Sequence, residues 1–182
     1  MTIRAKEAGA FAREASDYQN ARAAVPDGQA LTVLHIAAEF TTVTSGTGSS
    51  PDSTISLAIG YGRTAATYFK HEPPTPVELE AAIQAVEDEV TKARHLIPAG
   101  SRLYTALATL QPIAQSSGFA ELTQGALSLE AIEGVFDRLT AVTLGTPATH
   151  AEIPTGASFA ATLLILREFM HHLRFPSVSV LE

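Results

Sequence analysis

Leu31-Thr32-Val33-Leu34-His35-Ile36-Ala37-Ala38-Glu39-Phe40-Thr41-Thr42-Val43 decides the fold, because two β-rich runs stand on either side of a tight break. Residues 31–37 and 41–45 read as strands, and the break between them as the turn that reverses the chain. Gly46 to Asp52 (GTGSSPD) is a cluster of turn formers that leads into a third β-rich run, Ser53 to Ile59. These three runs make an antiparallel meander.

Upstream, Ala8, Phe11, Ala12, Ala15 and Tyr18 share one face at helical spacing across residues 5–24, and Pro26-Asp27-Gly28 ends the pattern. Downstream lies the clearest helix start: Thr75 as N-cap, Pro76 at the first helical position, and Glu78 completing a capping box. Leu79, Ile83, Val86, Val90 and Ala93 then form an apolar stripe that carries the helix to about His95. Leu96 to Ala99 reads as a short strand, with Gly100 as a break and a helix from Ser101 to about Leu110. Ser128 caps a further helix whose core side is Ile132, Val135, Leu139 and Val142. Ser158 to Leu173 reads as a largely buried helix, and Pro176 separates it from a last strand, Ser177 to Leu181. The expectation is an α/β domain with a mixed five-stranded sheet, three strands in the meander and two parallel, flanked by helices.

A chain of 182 residues fits a single domain, residues 1–182, with room for a substantial core. Its 46% hydrophobic and 17% charged composition suits a folded α/β domain rather than a disordered segment. The absence of cysteine excludes disulfides, thiolate metal sites and cysteine nucleophiles, and the cytoplasm is the expected location. The N-terminus carries charges throughout and does not read as a signal peptide, and no apolar run reaches the roughly 18 residues needed to span a bilayer. A net charge of -7 disfavours nucleic-acid binding, which leaves any anionic ligand dependent on a local site.

This order of elements resembles the second half of the exopolyphosphatase and guanosine pentaphosphate phosphohydrolase family (Ppx/GppA). Lys6-Glu7-Ala8 lies where that family opens the half with Glu-Glu-Ala-Arg. Ser56-Leu57-Ala58-Ile59-Gly60-Tyr61-Gly62-Arg63 is similar to its Ser-Leu-x-x-Gly-x-x-Arg strand ending. His150-Ala151-Glu152-Ile153-Pro154-Thr155-Gly156-Ala157 looks like its Arg-Ala-Asp-x-Ile-Pro-x-Gly-Ala, and Ser177-Val178-Ser179-Val180 like its closing Val-Ser. The resemblance implies a ribonuclease-H-like, actin-like ATPase fold in a bacterial protein.

It also implies a site. The family's phosphate loop, Asp-Ile-Gly-Gly-Gly-Ser-Thr-Glu, falls on His35-Ile36-Ala37-Ala38-Glu39-Phe40-Thr41-Thr42, with agreement only at Ile36 and Thr41. Glycine lets the main chain approach phosphate oxygens closely, and an aspartate organises Mg²⁺ through oxygen. Here His35 stands in the aspartate's place and Ala37, Ala38 and Glu39 in the glycines', and both the lost aspartate and the charge of Glu39 oppose phosphate binding. The second phosphate loop has an echo in Ala99-Gly100-Ser101, where Ser101 would offer a hydroxyl at a helix N-terminus. Arg63 is the implied anion contact, and the general-base glutamate falls at or beside Glu7.

The family works in a cleft between two such domains, and the sequence holds no counterpart of the first. One expectation is therefore a degenerate domain, catalytically inactive alone, which binds or regulates and needs no cofactor. The alternative is a working phosphohydrolase using Mg²⁺, its cleft completed by a homodimer or by a separate first-half protein. A third is a structural interaction domain.

Other candidates have plainer readings. His35 reads as a structural histidine, and Glu39 as a solvated turn residue. His171 and His172 point about 100° apart on a helix and lack an i, i+4 histidine partner, so no metal site is expected. Gly46-Thr47-Gly48 lacks the lysine and following helix of a P-loop and reads as hairpin loop.

Overall fold

A computed structural model describes residues 16–118 and 125–181. The sheet has six strands in the order β3-β2-β1-β4-β6-β5: β1 Leu31–Ile36, β2 Thr41–Gly46, β3 Ser53–Leu57, β4 Arg102–Ala106, β5 Ala126–Ser128 and β6 Ser177–Leu181. The first three form the expected antiparallel meander, with Ile36 opposite Thr41 and Thr41 opposite Leu57. β4 runs parallel to both β1 and β6, which makes it central. The sixth strand, β5, corrects the expected count of five; it pairs antiparallel with β6 over three residues, too short to leave a periodic signal.

Alternation along β1 sends side chains to two cores. Leu31 and Val33 pack with Tyr18, Ala21 and Val25 of the N-terminal segment, whose helix α1 is described over residues 16–23. Leu34 and Ile36 face the larger core, made with α2 Tyr61–Tyr68, α3 Pro76–Thr91, α4 Leu107–Ser116, α5 Leu129–Thr143 and α7 Ala157–Leu173. A one-turn helix, α6, spans Ala148–Ala151. α7 is the hub: nine of its side chains are buried, Glu168 among them, consistent with its apolar sequence. Ala8, Phe11, Ala12 and Ala15, the rest of the first helical face, lie outside the described residues.

The capping box at α3 forms as the sequence requires: the Thr75 N–H donates to Glu78 Oε2 at 2.8 Å, and the Glu78 N–H to Thr75 Oγ1 at 3.4 Å. Ser128 caps α5 through the Ala131 N–H. Two local readings are corrected. The chain between α3 and α4 holds a 3₁₀ turn at Arg94–Leu96 and no strand there; the strand is Arg102–Ala106, and the next helix starts at Leu107 rather than Ser101. Pairing on both edges buries Leu103, Tyr104 and Thr105, and this outweighs the local signal at Leu96 and Ile97. The sequence also gave no sign of α2, since Gly60 to Arg63 reads as a strand ending.

Among the described residues, no helix is long and apolar enough to cross a membrane.

Candidate functional site

The turn between β1 and β2 is closed by its own backbone, with the Ala37 N–H donating to the Phe40 carbonyl at 3.0 Å. Ala38 and Glu39 occupy the two central positions, and neither has a positive φ. The turn therefore needs no glycine, and alanine fits without strain.

Its carbonyls face the start of α2. The Tyr61 N–H donates to the Ala37 oxygen at 3.0 Å, and the Arg63 N–H to the Ala38 oxygen at 2.8 Å. A helix N-terminus ordinarily offers such N–H groups to an anion; here the protein's own carbonyls take them. Close approach is possible only because residue 60 is glycine: a Cβ there would sit 2.5 Å from both carbonyl oxygens.

Side chains fill the remaining surface of this end of the sheet. Phe40 is 47% exposed and lies 5.9 Å from the Arg63 guanidinium, ring face to cation. Arg63 also adds to the positive field at Glu89, whose carboxyl is otherwise pushed up by burial. Hydrogen bonds from Lys92 and the Ala58 N–H, with the charges of Lys92 and Arg63, outweigh that and hold it low. Glu39 is exposed and points into solvent as a turn residue. Tyr61, at the start of α2, and Leu107, at the start of α4, are 36% and 43% exposed. With Phe40 they give this end an apolar surface that the sequence reading missed. Chain position alone does not reveal that the starts of two helices and a turn meet there.

His35 points to the α1 side, its Nδ1 3.8 Å from an Asp17 carboxylate oxygen. Thr41 is fully buried, and its Oγ1 has no hydrogen-bond partner among the described residues. Glu7 lies outside the described residues.

Gly100 and Ser101 are not part of this constellation. They precede β4, at the opposite end of the sheet from the turn, and Ser101 Oγ bonds to Thr32 Oγ1 at 2.7 Å, which in turn meets Ser45 Oγ at 2.8 Å. No helix begins at Ser101. The junction that does lie beside the turn is Ala106-Leu107, where α4 starts without a side-chain cap and Thr105 Oγ1 donates to the Leu34 carbonyl at 2.7 Å. The unbroken run of β-forming residues Leu103, Tyr104 and Thr105 is the signal that points to it.

Mg²⁺ does not fit the donors present at the turn. A hard cation wants several oxygens. Here residue 35 is a histidine facing Asp17, Glu39 is exposed, and no group of three or more His, Cys, Asp or Glu is close enough together among the described residues to hold a metal ion. His171 and His172 pair instead with carboxylates, Glu133 at 3.4 Å and Glu168 at 3.1 Å respectively.

Solved structures with the same architecture include the Ppx/GppA phosphatase of Aquifex aeolicus in its type II variant. The TM-score is 0.70 at 19% identity, covering 90% of this chain and 56% of that one. An exopolyphosphatase-like protein matches with a TM-score of 0.66 at 14% identity, covering 84% and 55%. An exopolyphosphatase from Cytophaga hutchinsonii matches at 0.60 with 17% identity, covering 93% and 59%. This chain therefore has the actin-like fold found in those structures and spans a little over half their length. No family sequence model matches it, and no curated protein does.

Proposed function

We propose that this domain is a degenerate relative of the Ppx/GppA second domain, without phosphohydrolase activity alone, which serves as a binding or regulatory module. The observation that carries this reading is the direction of the turn's carbonyls. A phosphate loop has to present N–H groups to the ligand. Here Ala37 and Ala38 present oxygens to α2, and the Ala37 N–H is bonded to Phe40. Any phosphate approaching this end would meet carbonyl oxygens already bonded and the exposed carboxylate of Glu39.

The surface suits a protein partner better. Phe40, Tyr61 and Leu107 are exposed apolar side chains on one end of the sheet, with Arg63 beside them, a composition enriched at the centres of interfaces. The partner in this reading is a protein domain, either a second copy or a separate first-half protein.

Phosphate release tests the proposal. The purified chain is incubated with polyphosphate or guanosine pentaphosphate and Mg²⁺, and no release above buffer is expected. Release that disappears in Glu7→Ala would overturn it and restore the enzyme reading.

A further inference from the structure

We infer that a cavity at the opposite end of the sheet from the turn binds a small molecule bearing a di- or triphosphate group. The cavity, about 1090 Å³ and open to solvent on one side, lies between the start of β4, the start of β6 and the end of α7. That is slightly above the usual range of small-molecule sites, ~300–1,000 Å³. Arg94, Arg102 and Arg174 all line it.

These three arginines differ from the others described. Arg22 donates to four backbone carbonyls, those of Val25, Pro26, Gln29 and Thr47. Arg138 donates to the Ser116 carbonyl, Arg167 pairs with Glu168, and Arg63 lies over Phe40. No carboxylate oxygen among the described residues lies within 4.0 Å of Arg94, Arg102 or Arg174, and Arg102 and Arg174 make no side-chain hydrogen bond among those residues. Arg94 has only a 3.5 Å contact to the His172 carbonyl. In a chain of net charge -7, three arginines with no carboxylate partner among the described residues line one cavity.

The end of α7 accounts for only part of this charge. A helix C-terminus carries about half a negative charge, which one arginine offsets, and Arg102 comes from a strand rather than from the helix end. Three guanidinium forks remain suited to phosphate oxygens, which they bind in pairs of parallel hydrogen bonds. Ile97 and Leu173 add apolar wall for the body of a nucleoside. Arg174 also sits at φ 62, the left-handed region, where a side chain is strained and glycine is the usual occupant. An arginine held there at that cost fits a role for its side chain.

This inference does not depend on what covers the turn. The test is calorimetric titration of the full chain with ADP and, separately, inorganic pyrophosphate, at low and moderate salt. Saturable binding is expected, weakened at least tenfold by Arg102→Ala and by Arg174→Gly, and weakened by salt. Arg174→Gly relieves the left-handed strain, so its thermal midpoint should stay level or rise while binding falls, which separates lost contact from lost folding. Tighter binding of ADP assigns the site to a nucleotide, and equal binding to the inorganic anion; either supports the inference. Absence of saturable binding by both ligands overturns it. So does binding that neither substitution weakens, or binding lost in Arg63→Ala, which would place the anion at the turn.

Discussion

The backbone N–H of Arg63 donates to the carbonyl oxygen of Ala38 at 2.8 Å, which makes the β1–β2 turn the cap of helix α2. Gly60 is what permits this contact. A methyl group on residue 60 would lie 2.5 Å from the Ala37 and Ala38 oxygens, both backbone atoms that cannot swing aside. Gly60→Ala should therefore cost more than about 2 kcal/mol, because it separates the turn from the helix and leaves buried backbone groups unpaired. Urea unfolding checks it; a loss below 0.5 kcal/mol, within the scatter of surface substitutions, would mean that the turn is not held by α2.

The same geometry says that placing glycines in the turn will not create a phosphate site. In Ala37→Gly/Ala38→Gly/Glu39→Gly, the carbonyls at 37 and 38 still meet the N–H groups of Tyr61 and Arg63. The triple variant should lose roughly 1–3 kcal/mol of stability through added backbone freedom. It should show no heat of binding with inorganic phosphate and Mg²⁺. Saturable binding would show that side chains, not carbonyl direction, close the loop.

Much of this fold was legible in the sequence, and what escaped has a physical reason in each case. The α3 capping box and the Ser128 cap are local: donor and acceptor lie three residues apart, and the structure repeats the reading atom for atom. The start of α2 is capped from residues 37 and 38, more than twenty positions away, so nothing near Tyr61 announces it. β4 was misplaced because a central strand is chosen by its two neighbours, β1 and β6, rather than by its own apolar run. That single shift carried Gly100 and Ser101 to the wrong end of the site. The turn and its lack of glycine are legible in the sequence, but only the hydrogen-bond directions reveal that it caps α2.

Glu78 makes part of the stability depend on acid. The Thr75 N–H, first among several hydrogen bonds that include His71 and the Lys70 N–H, lowers its carboxyl from an ordinary 4.5 to about 2. A depressed folded value means the contribution is complete above the unfolded value and is lost as pH falls from about 4.5 toward 2. Glu78→Gln should lower stability at pH 7 and flatten the acid limb between those values. Parallel acid limbs for the two proteins, measured by urea unfolding from pH 2 to 7, would refute the assignment.

Thr41 is the one residue of the turn region besides Ile36 that matches the phosphate-loop pattern, and it joins stability to function. Its neighbours across the strands are Ile36 and Leu57, both buried and apolar, and its hydroxyl has no partner among the described residues. A buried hydroxyl without a hydrogen bond costs about 1–3 kcal/mol relative to a satisfied one. Thr41→Val keeps the β-branched shape while removing that group, so the variant should gain about 1 kcal/mol, or roughly 2–4 °C in melting temperature for a domain of this size. If the hydroxyl instead serves a bound phosphate, the substitution gives no benefit in the presence of that ligand, and phosphate raises the melting temperature of the native chain but not of Thr41→Val. A melting series of the two proteins with and without phosphate and Mg²⁺ separates these outcomes, and protection confined to the native chain would return this turn to the phosphate-binding role that its carbonyls argue against.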